Sequence, residues 1–405
     1  MSASQPNQFG TGDPHDFLDL DGLLNDEERL GRDTVRRFVT DRIVPDVGTW
    51  FEQGTFPVEM ATDLGAMGLL GMHLEGYGCS GASAVAYGLA CTELEAGDSG
   101  ARSFVSVQGS LAMFPIWAFG SEEQKQQWLP AMAAGEVIGC FGLTEPDSGS
   151  DPGSMRTTAR RDGDDWVING AKMWITNGSV ANIAIVWARD AADETGRTIH
   201  GFIVPTDTPG FAAHDIPRKM SLRASVTSEL VLTDVRLPDA ARLPGVSTMR
   251  GPLSCLNEAR FGILFGAMGA ARACYEAALD YAGSRTQFGT PIAAFQLTQR
   301  KLVEMMVRVN RGMLLALHLG RLKDAGQLSS AQVSFGKLDN VREALWVARE
   351  ARGVLGANGI TLEYPVIRHM NNLESVFTYE GTNEIHTLVL GQAITGINAF
   401  NAPGT

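Results

Sequence analysis

Val137-Ile-Gly-Cys-Phe-Gly142, followed by Leu143-Thr-Glu-Pro-Asp-Ser-Gly-Ser-Asp-Pro152, is where the chain changes character. Before it, from Asp26 to about residue 136, the pattern is helical, and Gly and Pro cut it into short pieces. Asp26 to Val44 is charged and periodic with Pro45 behind it, and Ser121-Glu-Glu-Gln124 is a capping-box pattern that opens a helix through Leu129. After it the texture is that of strands. Asp162-Gly-Asp-Asp165 is a turn ahead of Trp166-Val-Ile168, Asn169-Gly170 predicts a hairpin, and 183–188, 199–204 and 229–237 read as further strands. Pro205, Pro209, Pro217 and Pro238 punctuate them.

From about residue 251 to Phe400 the pattern is helical again, with long periodic stretches at 254–282, 295–324, 329–353 and 383–396. In the third, Val333, Leu338, Val341, Leu345 and Ala348 form a core stripe. Gly262, Gly266 and Gly269 put small residues near one another on a helix, which predicts the close approach of a neighbour. The expected fold is therefore α+β and multidomain. It has an N-terminal helical domain (1–136), a middle antiparallel β-barrel or sandwich (137–248) and a C-terminal helical bundle (249–405).

Composition narrows the function classes. The 405 residues carry 33 Lys and Arg against 46 Asp and Glu, a net charge of −13, with no basic block. Nucleic-acid binding is not expected of such a chain, because phosphate neutralisation needs clustered positive charge. The five cysteines include no CxxC pair, so neither a disulfide framework nor a thiolate metal site is expected. No apolar run reaches the ~18 residues of a membrane span, and the polar, acidic N-terminus carries no leader pattern. The expected setting is cytoplasmic.

Five stretches could carry chemistry, and each also has an ordinary structural reading. Gly76-Tyr-Gly-Cys-Ser-Gly81 fits GxGxxG but is not followed by the second strand of a dinucleotide fold, so a glycine turn between helices is expected. The 141–152 loop is dense in hydroxyls and glycines, as suits a polar ring or a diphosphate, or simply a loop. Trp174-Ile-Thr-Asn177 ends a strand, where the indole could flank a planar ring or pack in the core. Tyr379-Glu-Gly-Thr382 sets a carboxylate beside a flexible glycine in apolar surroundings, as suits a general base; Thr382 there also reads as a helix cap. Glu95 precedes Asp98-Ser-Gly-Ala-Arg-Ser103, where Arg102 on a glycine-bearing loop could clamp a carboxylate or make a surface ion pair with Glu95 or Asp98.

Taken together, these residues resemble the acyl-CoA dehydrogenase family. Phe141-Gly-Leu-Thr-Glu-Pro-Asp-Ser-Gly-Ser-Asp, then Arg285-Thr-Gln-Phe-Gly-Thr-Pro-Ile292 with Phe295-Gln-Leu297, then Tyr379-Glu-Gly-Thr382 match family signatures in order, over about residues 18 to 400. Within the family the chain is most similar to the members that act on glutaryl-CoA. The stretches that carry this are Arg102-Ser103, Gly139 to Pro146, Gly320-Arg-Leu-Lys-Asp324, Val366-Ile-Arg-His369 and Ala393 to Phe400. Two positions depart from the pattern: Ala357 replaces a usual glycine, and Phe104 stands where a smaller side chain is common.

The resemblance implies FAD as cofactor, a homotetramer, glutaryl-CoA or a related acyl-CoA as substrate, and an electron-transferring flavoprotein as acceptor. It implies Glu380 as catalytic base. It implies substrate contacts from Glu95, Arg102, Ser103, Ser150, Leu253, Asn257, Arg260, Tyr379 and Gly381. Cofactor contacts would come from Phe141, Leu143, Thr144, Gly149, Ser150, Trp174, Ile175 and Thr176. Arg285, Phe288 and Gln296, partly across a subunit boundary, and Gly353, Leu355, Gly356, Ala357, Thr382 and Phe400 would complete that site. The implied reaction is α,β-dehydrogenation and decarboxylation of glutaryl-CoA to crotonyl-CoA and CO2. The alternatives are a non-decarboxylating or other short-chain acyl-CoA dehydrogenase, an acyl-CoA oxidase, and a non-catalytic flavin- or acyl-CoA-binding scaffold.

Overall fold

The computed structural model describes residues 12–400, so the reading of the first eleven positions, and of 401–405 in the last helical region, lies outside the described residues. The first third is helical: α1 (Asp26–Arg42), α2 (Val47–Gln53), α3 (Met60–Ala66), α4 (Ala84–Gly97), α5 (Ser99–Ser106), α6 (Phe114–Phe119) and α7 (Glu122–Ala133). A π-helical stretch, Val107–Met113, joins α5 to α6. Gly76 to Gly81 forms a tight two-stranded ribbon, β1 (Glu75–Gly76) with β2 (Cys79–Ser80), which is the glycine turn expected there. The α7 capping box forms at Ser121 and Gln124. The helix then runs past Leu129 through Pro130 to Ala133, because buried Leu129 and Met132 hold the turn that proline's missing N–H weakens.

The middle third is a seven-stranded sheet: β3 (Gly139–Gly142), β4 (Thr158–Asp162), β5 (Asp165–Thr176), β6 (Ile183–Asp190), β7 (Ile199–Pro205), β8 (Phe211–Asp215) and β9 (Thr227–Pro238). Most pairings are antiparallel, but β3 and β4 both run parallel to β6, β3 along Ile183 to Val186 and β4 at Arg189 and Asp190. The 143–157 loop carries the chain from one to the other along the same edge, which is how the helical part is sewn to the sheet. The short strands β4 and β8 give little sequence signal, being half exposed.

Asn169-Gly170 is not a hairpin. It is a register shift inside β5, opposite β9. The Asn169 amide exchanges two hydrogen bonds of 2.9 Å with Asp234 of β9, its Nδ2 donating to Oδ1 and its Oδ1 accepting from the Asp234 N–H. A Cβ at Gly170 would lie 2.4 Å from Thr157 Oγ1. The glycine serves a close approach within the sheet, and side-chain pairing overrides local turn preference.

The last third is α8 (Arg250–Ser284), a ribbon of β10 (Thr286–Gln287) and β11 (Thr290–Pro291), α9 (Gln296–Asp324), α10 (Ser330–Leu355), α11 (Val366–Thr378) and α12 (Asn383–Thr395). α11 has no counterpart among the periodic stretches read from sequence, since three of its buried residues, Arg368, His369 and Asn372, are polar. It forms because Val366, His369, Leu373 and Val376 are buried on one face. The α10 stripe is core at Val333, Val341, Leu345 and Ala348, with Leu338 half-buried.

α4 lies against α8, and the three glycines make the approach possible. A Cβ at Gly262 would be 2.9 Å from Tyr87 Oη, one at Gly266 2.1 Å from Glu95 Oε2, and one at Gly269 1.9 Å from the Thr92 carbonyl oxygen. Buried Glu93 ties the pair to α1, accepting from Arg36 Nε at 3.0 Å and from Arg272 Nη2 at 2.6 Å. Burial alone would raise its carboxyl, but Arg272 and then Arg36 hold it down at about 2.

Gly269→Ala should therefore destabilise the protein by about 1–3 kcal/mol, because its methyl meets backbone that no rotamer change can move. Gly283→Ala, exposed on the same helix with open space around it, should be neutral or slightly stabilising. Melting curves of the two variants give the comparison. Equal melting temperatures would contradict the close-packing account of α4 and α8.

Candidate active site

Asp98 starts α5. Its carboxylate caps Gly100 N at 2.6 Å and also takes Asn372 Nδ2 at 2.9 Å and the Arg368 guanidinium. With that cap in place the Asp98–Ser103 stretch is the first turn of a helix rather than a loop. Arg102 points inward from it and is 1% exposed. A guanidinium is seldom buried unless paired. Here Nε donates to Glu95 Oε2 at 2.6 Å and Nη2 donates to the Tyr379 hydroxyl. Ser99 Oγ donates to the other Glu95 oxygen at 2.9 Å. The pair is thus buried, not a surface ion pair, and Asp98 takes Arg368 instead. Burial weakens Arg102's hold on its proton, but Glu95 more than restores it. Among the described residues, Arg102 Nη1 makes no protein hydrogen bond, so one edge of the fork is free to receive an acceptor.

Tyr379 brings the α11–α12 connection to this point, with Ser103 Oγ 3.5 Å from its hydroxyl. Burial pushes the phenol up to about 12 despite Arg102, so it stays a neutral hydroxyl. The next residue, Glu380, has φ +53°, and Gly381 has φ +98°. A left-handed conformation at a residue with a side chain costs about 1–3 kcal/mol and persists only where the surroundings impose it. Those surroundings are Arg260 Nε, which donates to the Glu380 carbonyl at 2.6 Å, and Lys337 Nζ, which donates to the Tyr379 and Gly381 carbonyls at 2.6 Å each. Thr382 caps α12 through Ile385 N, as its position implied.

The Glu380 carboxylate itself has a buried oxygen, Oε2, with no hydrogen-bond partner among the described residues. Burial raises its proton affinity above the usual carboxylate range, while Arg102, Lys337 and Arg260 pull it back. Lys337 is pushed down to about 7 by burial, with Glu380 supporting its charge, and His386 beside Gly381 is pushed down to about 3. On α8, Leu253, Asn257 and Arg260 share a face; Leu253 is exposed and Asn257 Oδ1 is buried without a partner among the described residues. A carboxylate with an unsatisfied oxygen, beside a cation with a free edge, can accept a proton from a ligand that the cation anchors.

A second constellation gathers where the helices meet the sheet. Phe141 of β3 packs edge-on to Trp187, and the Leu143 carbonyl accepts from Lys172 Nζ at 3.1 Å. Lys172 also donates to Glu145 at 2.8 Å, and Glu145 accepts the Arg156 and Thr157 N–H groups at 2.6 and 2.9 Å. The Thr144 carbonyl accepts from Met173 N at 2.8 Å. These bonds hold the 141–152 loop against the end of β5, where Ile175 is buried and Thr176 half-buried. Trp174 sits there at φ +64° with 60% of its surface exposed, so it is not core packing. Gly149 and Ser150 lie exposed on the same loop.

The remaining cofactor candidates share no described hydrogen bond with the Glu380 cluster. Arg285 lies just before the β10–β11 ribbon, Phe288 in its turn and Gln296 at the start of α9; Phe288 is 94% exposed and touches Phe295 edge-on. Gly353, Gly356 and Ala357 are exposed at the end of α10, Leu355 is buried in the bundle core, and Phe400 is exposed. Phe104 is a core residue stacked on Phe56 with ring centres 4.9 Å apart.

Lys172 and Lys337 are not among the residues singled out from sequence, and Glu145 enters there only as part of the 141–152 loop. Lys337 did leave a signal, since it lies four residues from both Val333 and Val341 on the apolar stripe of α10. Lys172→Met should destabilise the protein by ~3–5 kcal/mol, because Glu145 is left buried without its cation. Lys172→Met combined with Glu145→Gln should recover a large part of that loss. Denaturation of single and double variants decides it, and equal losses in the two would sink the ion-pair account.

Comparison with known proteins agrees with the geometry. The acyl-CoA dehydrogenase N-terminal, middle and C-terminal domain families match residues 25–136, 140–235 and 249–395. An acyl-CoA dehydrogenase of Bacillus subtilis is 36% identical over 375 residues, 92% of this chain and 99% of that protein. The crystal structure of a glutaryl-CoA dehydrogenase from Mycobacterium smegmatis superposes with a TM-score of 0.94 at 65% identity, covering 96% of this chain and all of that one. A second glutaryl-CoA dehydrogenase structure from that organism, in complex with FADH2, has a TM-score of 0.94 and 60% identity, with 96% and 100% coverage. The chain belongs to the acyl-CoA dehydrogenase family.

Proposed function

We propose that this chain is an FAD-dependent glutaryl-CoA dehydrogenase that forms crotonyl-CoA and CO2. The observation that carries the substrate is Arg102, a buried guanidinium with a free edge in the same cluster as Glu380. The likeness to the Mycobacterium smegmatis glutaryl-CoA dehydrogenases supports it. A neutral acyl tail would leave that edge of Arg102 without an acceptor, whereas a terminal carboxylate supplies one.

The residues present fit a flavin. Large aromatic rings stand exposed at three of the proposed contact positions, Trp174 at 60%, Phe288 at 94% and Phe400 at 50%. Exposed rings of this size are surfaces for a ligand or a partner chain. Phe141 to Thr144, Gly149, Ser150 and Trp174 to Thr176 would hold the ring system. Arg285, Phe288, Gln296, Gly353, Leu355, Gly356, Ala357, Thr382 and Phe400 would complete the cofactor site. When bound, the flavin accepts the hydride that leaves the β-carbon.

The chain's own groups do the rest. Arg102, positioned by Glu95 and Tyr379, holds the far carboxylate, with Ser103 beside it. Leu253, Asn257, Arg260, Ser150 and Gly381 contact the thioester. The Glu380 carboxylate takes the α-proton as the α-C–H bonding pair becomes the new double bond. The Glu380 N–H stabilises charge on the thioester oxygen. A pocket dried by substrate raises the carboxyl further and makes it a stronger base. The remaining carboxylate is then allylic to the double bond. Its C–C bond breaks, CO2 leaves, and the pair passes into a dienolate. Glu380 returns its proton to the γ-carbon, giving crotonyl-CoA.

An electron-transferring flavoprotein as acceptor and a homotetrameric state belong to the same reading. Exposed Leu297, Ile394 and Ile397, at 75%, 84% and 72%, support the contact between copies. The cysteines are all unpaired and four of the five are buried, which suits a reducing, cytoplasmic setting. No helix among the described residues is long and apolar enough to cross a membrane.

Two variants test the site. Glu380→Gln should keep the fold and FAD but slow reduction by glutaryl-CoA ~10²–10⁴-fold; bleaching at the wild-type rate would place the base elsewhere. Arg102→Met, made together with Glu95→Gln so that no carboxylate is left buried alone, should lower the kcat/KM ratio of glutaryl-CoA to butyryl-CoA by about ten- to a hundredfold. An unchanged ratio would leave Arg102 and Glu95 as a structural pair.

A further inference from the structure

The backbone around Glu380 has an unusual support. Three consecutive carbonyls, of Tyr379, Glu380 and Gly381, are each held by a cation: Lys337 takes the first and third, Arg260 the second. Lys337 comes from the core face of α10 and is 1% exposed, so these bonds are not exchanged for water. The described peptide bonds are trans. In a trans peptide the C=O and the following N–H point to opposite sides. With the Tyr379 carbonyl turned to Lys337, the Glu380 N–H is turned away from it. That N–H has no hydrogen-bond partner among the described residues. The same clamp bridges both sides of a residue at φ +53°, where a side chain is disfavoured. A polar residue introduced only to satisfy a core would not need to straddle the left-handed turn.

We propose that Lys337 is the positioning residue for proton abstraction: by clamping the Tyr379 and Gly381 carbonyls it fixes Glu380 in its left-handed conformation and aims the Glu380 N–H at the substrate's thioester oxygen. This rests on the reading of Glu380 as the base. Lys337 touches neither proton nor thioester in this account and acts through the backbone it holds. The hydrogen bonds, more than the charge, are the operative feature, since Arg260 already supplies a cation to the same loop.

The test uses flavin-loaded protein and a thioester with sulfur in place of the β-carbon, which can lose an α-proton but no β-hydride. Exchange of its α-protons in D2O, followed by mass spectrometry, reads deprotonation apart from oxidation. Lys337→Met should exchange about 100-fold more slowly, the scale of losing an oxyanion donor. Its kcat with glutaryl-CoA should fall in parallel while KM stays near that of the wild type. Lys337→Gln, whose amide can still donate to the carbonyls, should stay within about tenfold of wild type. A folded, flavin-loaded Lys337→Met exchanging at the wild-type rate overturns the proposal, and so does a Gln variant that falls as far as Met. Should the Met variant fail to fold, the Gln variant decides alone: near-native exchange supports the clamp, and a folded Gln variant about 100-fold slower overturns it. Glu380→Gln is the separate control. Exchange surviving in that variant would remove the base assignment itself, whatever Lys337 does.

Discussion

Arg102 is a guanidinium with almost no contact with solvent, and one carboxylate, Glu95, balances it. The desolvation cost of such a group is several kcal/mol unless counter-charge and hydrogen bonds are placed beside it. Much of the architecture serves that placement. Glu95 projects from α4 toward α8 into space that exists because residue 266 is glycine. Asp98 caps α5 and so turns Arg102 inward. Tyr379 reaches in from the α11–α12 connection to accept from the same guanidinium. Three separate parts of the chain therefore meet at one charge, and Glu380 sits beside it because it follows Tyr379.

The same logic of buried charge recurs at the other junctions. Glu145 and Lys172 fasten the 141–152 loop to the sheet, and Glu93 fastens α1, α4 and α8 through Arg36 and Arg272. Around Glu380 the balance is different in kind. Arg102, Arg260 and Lys337 face a carboxylate whose burial raises its proton affinity. Burial and the three cations thus pull its proton affinity in opposite directions.

How much of this was legible in the sequence depended on whether a residue's role was local. The α–β–α order was readable because period and turn residues are local signals, and the glycines of α8 announced a close helix contact that is present. Asn169-Gly170 misled because its partners, Asp234 and Thr157, come from elsewhere in the chain. Arg102 was recognised, but its helix was not, since the Asp98 cap gains its strength from Arg368 and Asn372 far along the sequence. Lys337 lies on the core face of α10, where a lysine asks for acceptors. Its acceptors are backbone carbonyls, which no motif encodes.

The central claim is that Glu380 and Arg102 act on one substrate, abstracting a proton at one end and holding a carboxylate at the other. Anaerobic addition of glutaryl-CoA to the FAD-loaded protein, with the thioester product and released CO2 both quantified against flavin bleached, tests it most directly. The account predicts bleaching with crotonyl-CoA and CO2 formed in equal amounts. Bleaching by butyryl-CoA but not by glutaryl-CoA, or accumulation of the five-carbon unsaturated thioester without CO2, would contradict it.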